Sequence, residues 1–335
     1  MSKSKFLKSY EYLFLKSCEH NDLDKVRQML AFGVNVNWKR VPGEDAGLNI
    51  AAFCDFGELL ELLLSQPGVD VNIANDFNET PLLWACMKGL ENIVRRLCQV
   101  NGIDPNIRDC DGYTALYWAV HRNRPRCVEI LRTLPSVDWN VRTNGGEYPL
   151  TMAVKHGHAD ILEIILSVPH LDLSVTDEIY RNVGQIAVEW EGGERQRCLE
   201  MLSRDRRVDW NIKNTQGDTP VMFCLKNNQM EMVRCLINTP GVDLNIKNYV
   251  GDTPVMFCLK TNQMEMVRSL INTPGMDLNI KNSVGDTPVM MALLSGKADI
   301  VKVLVRCLRV DLTIRDKEGW TLLMRTIARK DLGEC

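Results

Sequence analysis

The chain lacks any long apolar run. No stretch of its 335 residues approaches the ~20 consecutive apolar residues of a membrane-spanning helix. The segment Met1 to Lys5 is not followed by the apolar core of a secretory signal. We therefore expect no membrane insertion and a cytoplasmic protein, with the nucleus as the alternative location.

The sequence also lacks a strong excess of either charge. It has 40 Lys and Arg against 43 Asp and Glu, a net charge of −3. Proteins dedicated to binding nucleic acid or anionic membranes are usually basic. The balance of charge therefore argues against nucleic acid as the main partner.

Residues arranged for catalysis or metal binding are missing as well. There are five histidines, and the only cluster among them is His156-Gly157-His158. No Cys-x-x-Cys pair and no glycine-rich phosphate loop occurs, and the carboxylates have no partner nucleophile. We predict no enzyme activity, no metal site and no cofactor. The 12 cysteines, such as Cys224 and Cys258, are predicted to be reduced thiols in the core.

What the sequence does contain is a repeat. Residues 217–248 and 251–282 are identical at 29 of 32 positions, with an offset of 34 residues. A period of this length indicates a solenoid of small repeated units.

Each unit is predicted to contain two short helices and an extended loop. Thr219 can cap the first helix and Pro220 fits its first position, where no amide donor is needed. Apolar residues at helical spacing follow in two short stripes, and Thr239-Pro240-Gly241 ends the second. Helices this short do not persist alone, so stability must come from stacked neighbours.

The same register extends over the chain. The position of Thr219 recurs at intervals of 34 residues, except for one interval of 37. This spacing predicts one continuous array over residues 1–335, with three extra residues near 191–194 in an irregular sixth unit. The predicted parts are a capping unit at about 10–40, regular units at 41–181, the irregular unit at 182–214, three near-identical units at 215–316 and a half unit at 317–335.

The motif Thr80-Pro81-Leu82-Leu83-Trp84-Ala85 and the Asp-x-Asn-x-x-Asn loop resemble the ankyrin repeat family. Leu83 stands where that family usually has His. Other copies of the motif also lack this His, and its absence removes a hydrogen-bond network of the family. The resemblance implies an all-α solenoid of helix-turn-helix units with β-hairpin-like loops, about ten units in all. It also implies a non-enzymatic scaffold that binds a protein or peptide through the hairpin tips and the concave face of the first helices.

On this resemblance, the residue immediately before each Thr lies at a hairpin tip, and aromatic residues lie nearby. Most of these tip residues are acidic, so we expect a partner with a basic segment, and we expect charge reversal of the last three acids to weaken its binding. The candidate binding residues are Asp45, Phe77, Glu79, Tyr113, Glu147, Arg181, Trp190, Asp218, Tyr249, Asp252 and Asp286, and Trp320 occupies the same tip position.

The sequence leaves three further hypotheses open. The chain could be the regulatory or targeting part of a larger enzyme, channel or ligase adaptor that continues past Cys335. Tyr249, Trp190 and the arginines at 204–207 could bind an oligonucleotide. By resemblance, the loop asparagines match a hydroxylated position, but we expect them to bond their own loop's backbone: Asn72, Asn106, Asn140, Asn211, Asn245 and Asn279. We expect the protein to be monomeric by itself.

Overall fold

A computed structural model describes residues 3–39, 45–177, 179, 181–189 and 193–331. Within those ranges the secondary structure is helical, with 19 helices and a few isolated β-bridge residues, of which Arg315 pairs with Thr321. The chain divides into two compact units, unit 1 at Met1–Ile179 and unit 2 at Tyr180–Cys335. Continuity of the array across this boundary stays a prediction.

Unit 1 contains five pairs of helices. They are α1 (Lys3–Glu19), α2 (Leu23–Ala31), α3 (Gly47–Phe53), α4 (Gly57–Leu64), α5 (Pro81–Lys88), α6 (Glu91–Cys98), α7 (Ala115–His121), α8 (Pro125–Leu131), α9 (Pro149–His156) and α10 (Ala159–Leu166).

Unit 2 contains four pairs and a last helix. They are α11 (Val183–Val188), α12 (Gly193–Arg204), α13 (Pro220–Lys226), α14 (Met230–Ile237), α15 (Pro254–Lys260), α16 (Met264–Asn272), α17 (Pro288–Leu294), α18 (Ala298–Arg306) and α19 (Leu322–Asp331). The predicted helical solenoid of about ten units is confirmed.

The first helices start at the predicted residues, but two kinds of cap occur. Thr80 and Thr114 each accept a hydrogen bond from the third amide of the helix, 3.3 and 3.2 Å long. Thr253 and Thr287 have their hydroxyls buried without a hydrogen-bond partner in the described part of the chain. Met256 and Met290, which occupy the position of the family's His, offer no such partner.

Neighbouring repeats stack through both helices of each pair. First helix packs on first helix, as in α5 on α7 and α13 on α15, and second on second, as in α6 on α8. The apolar stripes, including Leu82, Leu97 and Leu236, are buried between them. Each such side chain contributes roughly 1.5–3 kcal/mol, so the stacked repeats stabilise one another.

The loop asparagines join neighbouring repeats, so the prediction that they bond their own loop was wrong. The amide nitrogen of Asn72 donates to the carbonyl of Gly102 (2.7 Å), and its oxygen accepts from the backbone N–H of Asp104 (2.9 Å). The other five repeat this pair of bonds with the following loop. The loop's own turn is closed instead by the preceding aspartate, such as Asp70.

The irregular unit differs in its second helix. Gly193 and Glu194 begin α12, which has 12 residues where the second helices of the other pairs have 7 to 9. The rest of the predicted insertion, Glu191 and Gly192, lies outside the described residues. Trp210 packs over Gly184, where an added Cβ would lie 3.1 Å from the indole. A small residue on the first helix therefore makes room for a large one in the following loop.

Candidate protein-binding surface

The tip residues are not a row of exposed charges. Asp218 and Asp252 are only 1% and 3% exposed. Each carboxylate pairs with the lysine eight positions later, Lys226 or Lys260, at the end of the first helix of the same repeat; the second pair is 2.6 Å apart. These two aspartates are therefore not exposed charges, because an internal lysine holds each of them against its helix.

Two further tips carry such internal pairs. Glu147 contacts Lys155 at 2.8 Å, again eight positions apart. In the irregular unit the two charges are exchanged: the tip residue is the cation Arg181, and it pairs with the acid Glu189 eight positions later. Trp190, which follows that glutamate, lies outside the described residues. The charge of these tips is therefore compensated within the repeat.

Glu79 and Asp286 lack this compensation, because Met87 and Leu294 stand at the positions eight residues later. Burial raises the pKa of Glu79, and the charges of Asp45 and Asp109 add to the rise although the Asn75 amide opposes it. Burial, followed by the charge of Asp316, likewise raises the pKa of Asp286. Burial would raise the pKa of Glu147 too, but the bonds from Lys155 and Tyr117 outweigh it and lower the value.

Glu79 lies in a cavity of about 560 Å³ in unit 1, which we call the tip pocket. The pocket has acidic groups and aromatic walls, and among the residues that the structure describes its lining contains no Lys or Arg. The lining residues are Asp45, Asn75, Phe77, Glu79, Trp84, Asp109, Cys110, Asp111 and Trp118.

Hydrogen bonds fix the acidic groups of the tip pocket. The Asn75 amide nitrogen donates to Asp45 (3.0 Å) and to Glu79 (2.7 Å), which holds these two carboxylates side by side. The Trp118 indole N–H donates to Asp109 (2.8 Å). Among the described residues no ion pair joins Glu79 or Asp109 to a Lys or Arg, so the described part of the pocket carries a net negative charge.

Exposed apolar side chains lie at other tips. Phe77 at the rim of the tip pocket is 58% exposed, and Tyr249 in unit 2 is 70% exposed beside Val250. The Nζ atom of Lys213 lies 5.9 Å from the centre of the Tyr249 ring. Tyr113, another candidate, stacks on Tyr117 with ring centres 4.5 Å apart and is only partly exposed.

The cysteines are free thiols throughout the described residues, but they are not all in the core. Cys224 and Cys258 are buried as predicted, whereas Cys54 and Cys110 are exposed. Burial raises the pKa of the Cys258 thiol to about 12, which makes it a poor nucleophile.

A histidine cluster forms where the first helices α7 and α9 end, at His121, His156 and His158. His121 joins the predicted pair, with ring centres 6.3 Å from His156, which is in turn 5.7 Å from His158. Burial lowers the pKa of His121, and the charge of Arg122 lowers it further against the opposing effect of Glu147. Burial, then His156 and His121, lower the pKa of His158.

This cluster predicts a pH dependence of stability. Because the folded pKa values lie below the unfolded value of about 6.5, the unfolded chain binds more protons as the pH falls, and stability decreases. Between pH 7.5 and 5.5 we expect the melting temperature of unit 1 to fall by about 2–4 °C, roughly 1 kcal/mol for a unit of this size. In the variant H121N/H158N the fall should be largely absent in thermal scans of the full chain. An equal fall in both proteins would contradict the assignment.

The fold and this surface define a class of protein: a helical repeat array whose loops and first helices carry its variable side chains. The model of one family, described as ankyrin repeats (3 copies), matches residues 48–142, 185–282 and 264–332. The chain belongs to the ankyrin repeat family, as its Thr-Pro motifs predict. Ankyrin repeats are generally protein–protein interaction modules and are typically non-catalytic. The comparison with curated proteins finds no match.

No helix among the described residues is both long and apolar enough to cross a bilayer. The sequence prediction missed several parts of the tip pocket, namely Asn75, Trp84, Asp109, Asp111 and Trp118. The repeat spacing could have identified them. Asp109 stands five positions before the capping Thr114 and Trp118 four positions after it. Asn75 and Trp84 have the same positions relative to Thr80.

Proposed function

We propose that this chain is a non-catalytic module that binds a partner protein through a segment carrying Lys or Arg. The observation that supports the proposal is the tip pocket, where no Lys or Arg of the described residues forms an ion pair with Glu79 or Asp109. A negative pocket attracts basic segments and favours their correct orientation. The exposed ring of Phe77 at its rim offers an apolar contact of the kind that anchors interfaces.

The remaining site residues have separate places in the proposal. Glu147 and Tyr113 border the same first helices of unit 1 and can contribute side contacts. Asp286 and Tyr249 belong to unit 2, and Asp218, Asp252 and Arg181 are engaged in their internal pairs. We place the main contact in unit 1 for this reason.

The test is a selection of displayed random dodecapeptides on the full chain at physiological salt. We expect the selected peptides to be enriched in Lys and Arg, and to bind roughly tenfold more weakly to the variant E79Q/D111N. A photo-crosslinking residue in place of Phe77 should capture the peptide, whereas the same residue in place of Tyr249 should not. The proposal would be contradicted if acidic or neutral peptides were enriched, or if the variant bound the selected peptides as tightly as the unaltered chain does.

The other hypotheses from the sequence agree with this proposal to different degrees. A regulatory or targeting role within a larger enzyme, channel or ligase adaptor would use the same pocket. Oligonucleotide binding has less support, since Arg207 is paired with Asp205 at 2.6 Å. We keep a cytoplasmic location and a monomeric state as parts of the proposal.

A further inference from the structure

Comparison of the repeats with one another shows what the tip pocket is missing. In three repeats the tip carboxylate holds the ammonium group of a lysine eight positions later, in the pairs of Glu147 with Lys155, Asp218 with Lys226 and Asp252 with Lys260. The same carboxylate position therefore binds a cationic side chain three times within this chain.

At Glu79 the lysine eight positions later is missing, although the hydrogen bond that positions the carboxylate is present. Met87 stands at the lysine position, and Lys88 of the same helix lies instead over the Phe53 ring, 3.8 Å from its centre. The Asn75 amide still holds the Glu79 carboxylate in place at 2.7 Å. Asp286 of unit 2 also lacks the lysine, but the charges of Arg325 and Lys317 already act on it.

We propose that the Glu79 carboxylate receives one Lys or Arg side chain of the partner, in the place that an internal lysine fills in three other repeats. This inference rests on the proposed function, and it names the carboxylate that would bind a basic side chain of the partner. Trp84 and Trp118 line the same pocket, and aromatic rings attract positive charge, as Trp118 does with Arg122, 5.4 Å from its ring centre. Half-burial strengthens the ion pair, because the effective dielectric constant there is lower than that of water.

The other repeats of the chain suggest the variant that tests this inference. Met87→Lys installs the internal lysine of the other repeats on an unbranched side chain of similar length, and should therefore fill the pocket without harming the fold. Met87→Gln is the neutral control. Glu79→Gln removes the receptor charge and serves as a second variant, independent of whether the new lysine adopts the expected position.

The probe is N-acetyl-arginine methylamide, with the lysine and norleucine analogues beside it, titrated into the full chain labelled with 6-fluorotryptophan. Because one charged contact gives only millimolar affinity, we would titrate to about 50 mM. The seven tryptophans give seven fluorine resonances, of which W84F and W118F variants assign two. We expect those two resonances to shift with the arginine and lysine compounds and not with norleucine.

In Met87→Lys and Glu79→Gln the shifts should fall at least about fivefold at equal probe concentration. Met87→Gln should behave as the unaltered chain, and Met87→Lys should melt at the same temperature or higher. Equal shifts in Met87→Lys and the unaltered chain, or none in the unaltered chain, overturn the inference. If the selected basic peptides still bind in that case, the proposed function survives and only this receptor is wrong. If no basic peptide is selected either, both fail.

Discussion

Replacing Lys260 with methionine is expected to lower the free energy of unfolding of unit 2 by about 2–4 kcal/mol. Lys260 is the ion-pair partner of Asp252, whose side chain is buried and whose second oxygen, Oδ1, has no hydrogen-bond partner among the described residues. Without the lysine, a buried carboxylate would remain with no compensating charge. Urea unfolding of the full chain measures the loss, and hydrogen exchange of the α15 amides would localise it.

Two controls separate the burial of Asp252 from the loss of a lysine as such. Lys302→Met removes an exposed pair with Asp299, 3.8 Å apart, and should change stability by less than about 0.5 kcal/mol. The variant D252N/K260M replaces both charges with neutral groups and should recover most of the loss. A loss like that of Lys302→Met would contradict the structure.

The buried pairs also change how the binding surface must be tested. Charge reversal at Asp218 or Asp252 places a lysine opposite a lysine in a buried position, so it is expected to unfold the repeat. Reduced binding by such a variant would report lost structure and not a lost contact. Substitutions at Glu79 and Met87 avoid this problem, because the Glu79 carboxylate is only half-buried and has no internal lysine.

The fold could be predicted from the sequence because its information is local and repeated. A capping Thr, a Pro after it and two short apolar stripes define each unit, and their recurrence around Thr80, Thr114 and Thr219 fixes the register. The direction of the tip side chains could not be predicted from that register. It depends on whether the residue eight positions later carries a charge, and on whether that charge reaches back across the helix.

The loop asparagines illustrate the same limit. Viewed within one loop, Asn72 has its own backbone as its nearest partner, so local reasoning assigns it there. In the stacked array the next loop lies alongside, and Asn72 bonds Gly102 and Asp104 instead. Contacts between residues about 30 positions apart are invisible to an argument confined to one repeat.

Glycine substitutions in the loops of unit 2 are expected to measure this contact between repeats. Gly251 and Gly241 have almost the same left-handed backbone, with φ of 88° and 87°. An added Cβ at Gly241 meets nothing within 4 Å, whereas at Gly251 it would lie 2.7 Å from the backbone nitrogen of Ser283 in the next repeat. Gly241→Ala should therefore cost about 1 kcal/mol from the backbone alone.

Gly251→Ala should cost about 3 kcal/mol or more, because the backbone of the next loop must move as well. Gly217→Ala separates a backbone obstacle from a side-chain one, since the atoms nearest to its Cβ belong to the exposed Tyr249 side chain, which can adopt another rotamer. Its cost should lie close to that of Gly241→Ala. Urea unfolding of the three variants gives the order, and equal losses at Gly241 and Gly251 would mean that neighbouring loops separate freely. The predicted order requires instead that one loop holds the next in place, which is the coupling that lets repeats too small to fold alone form a stable array.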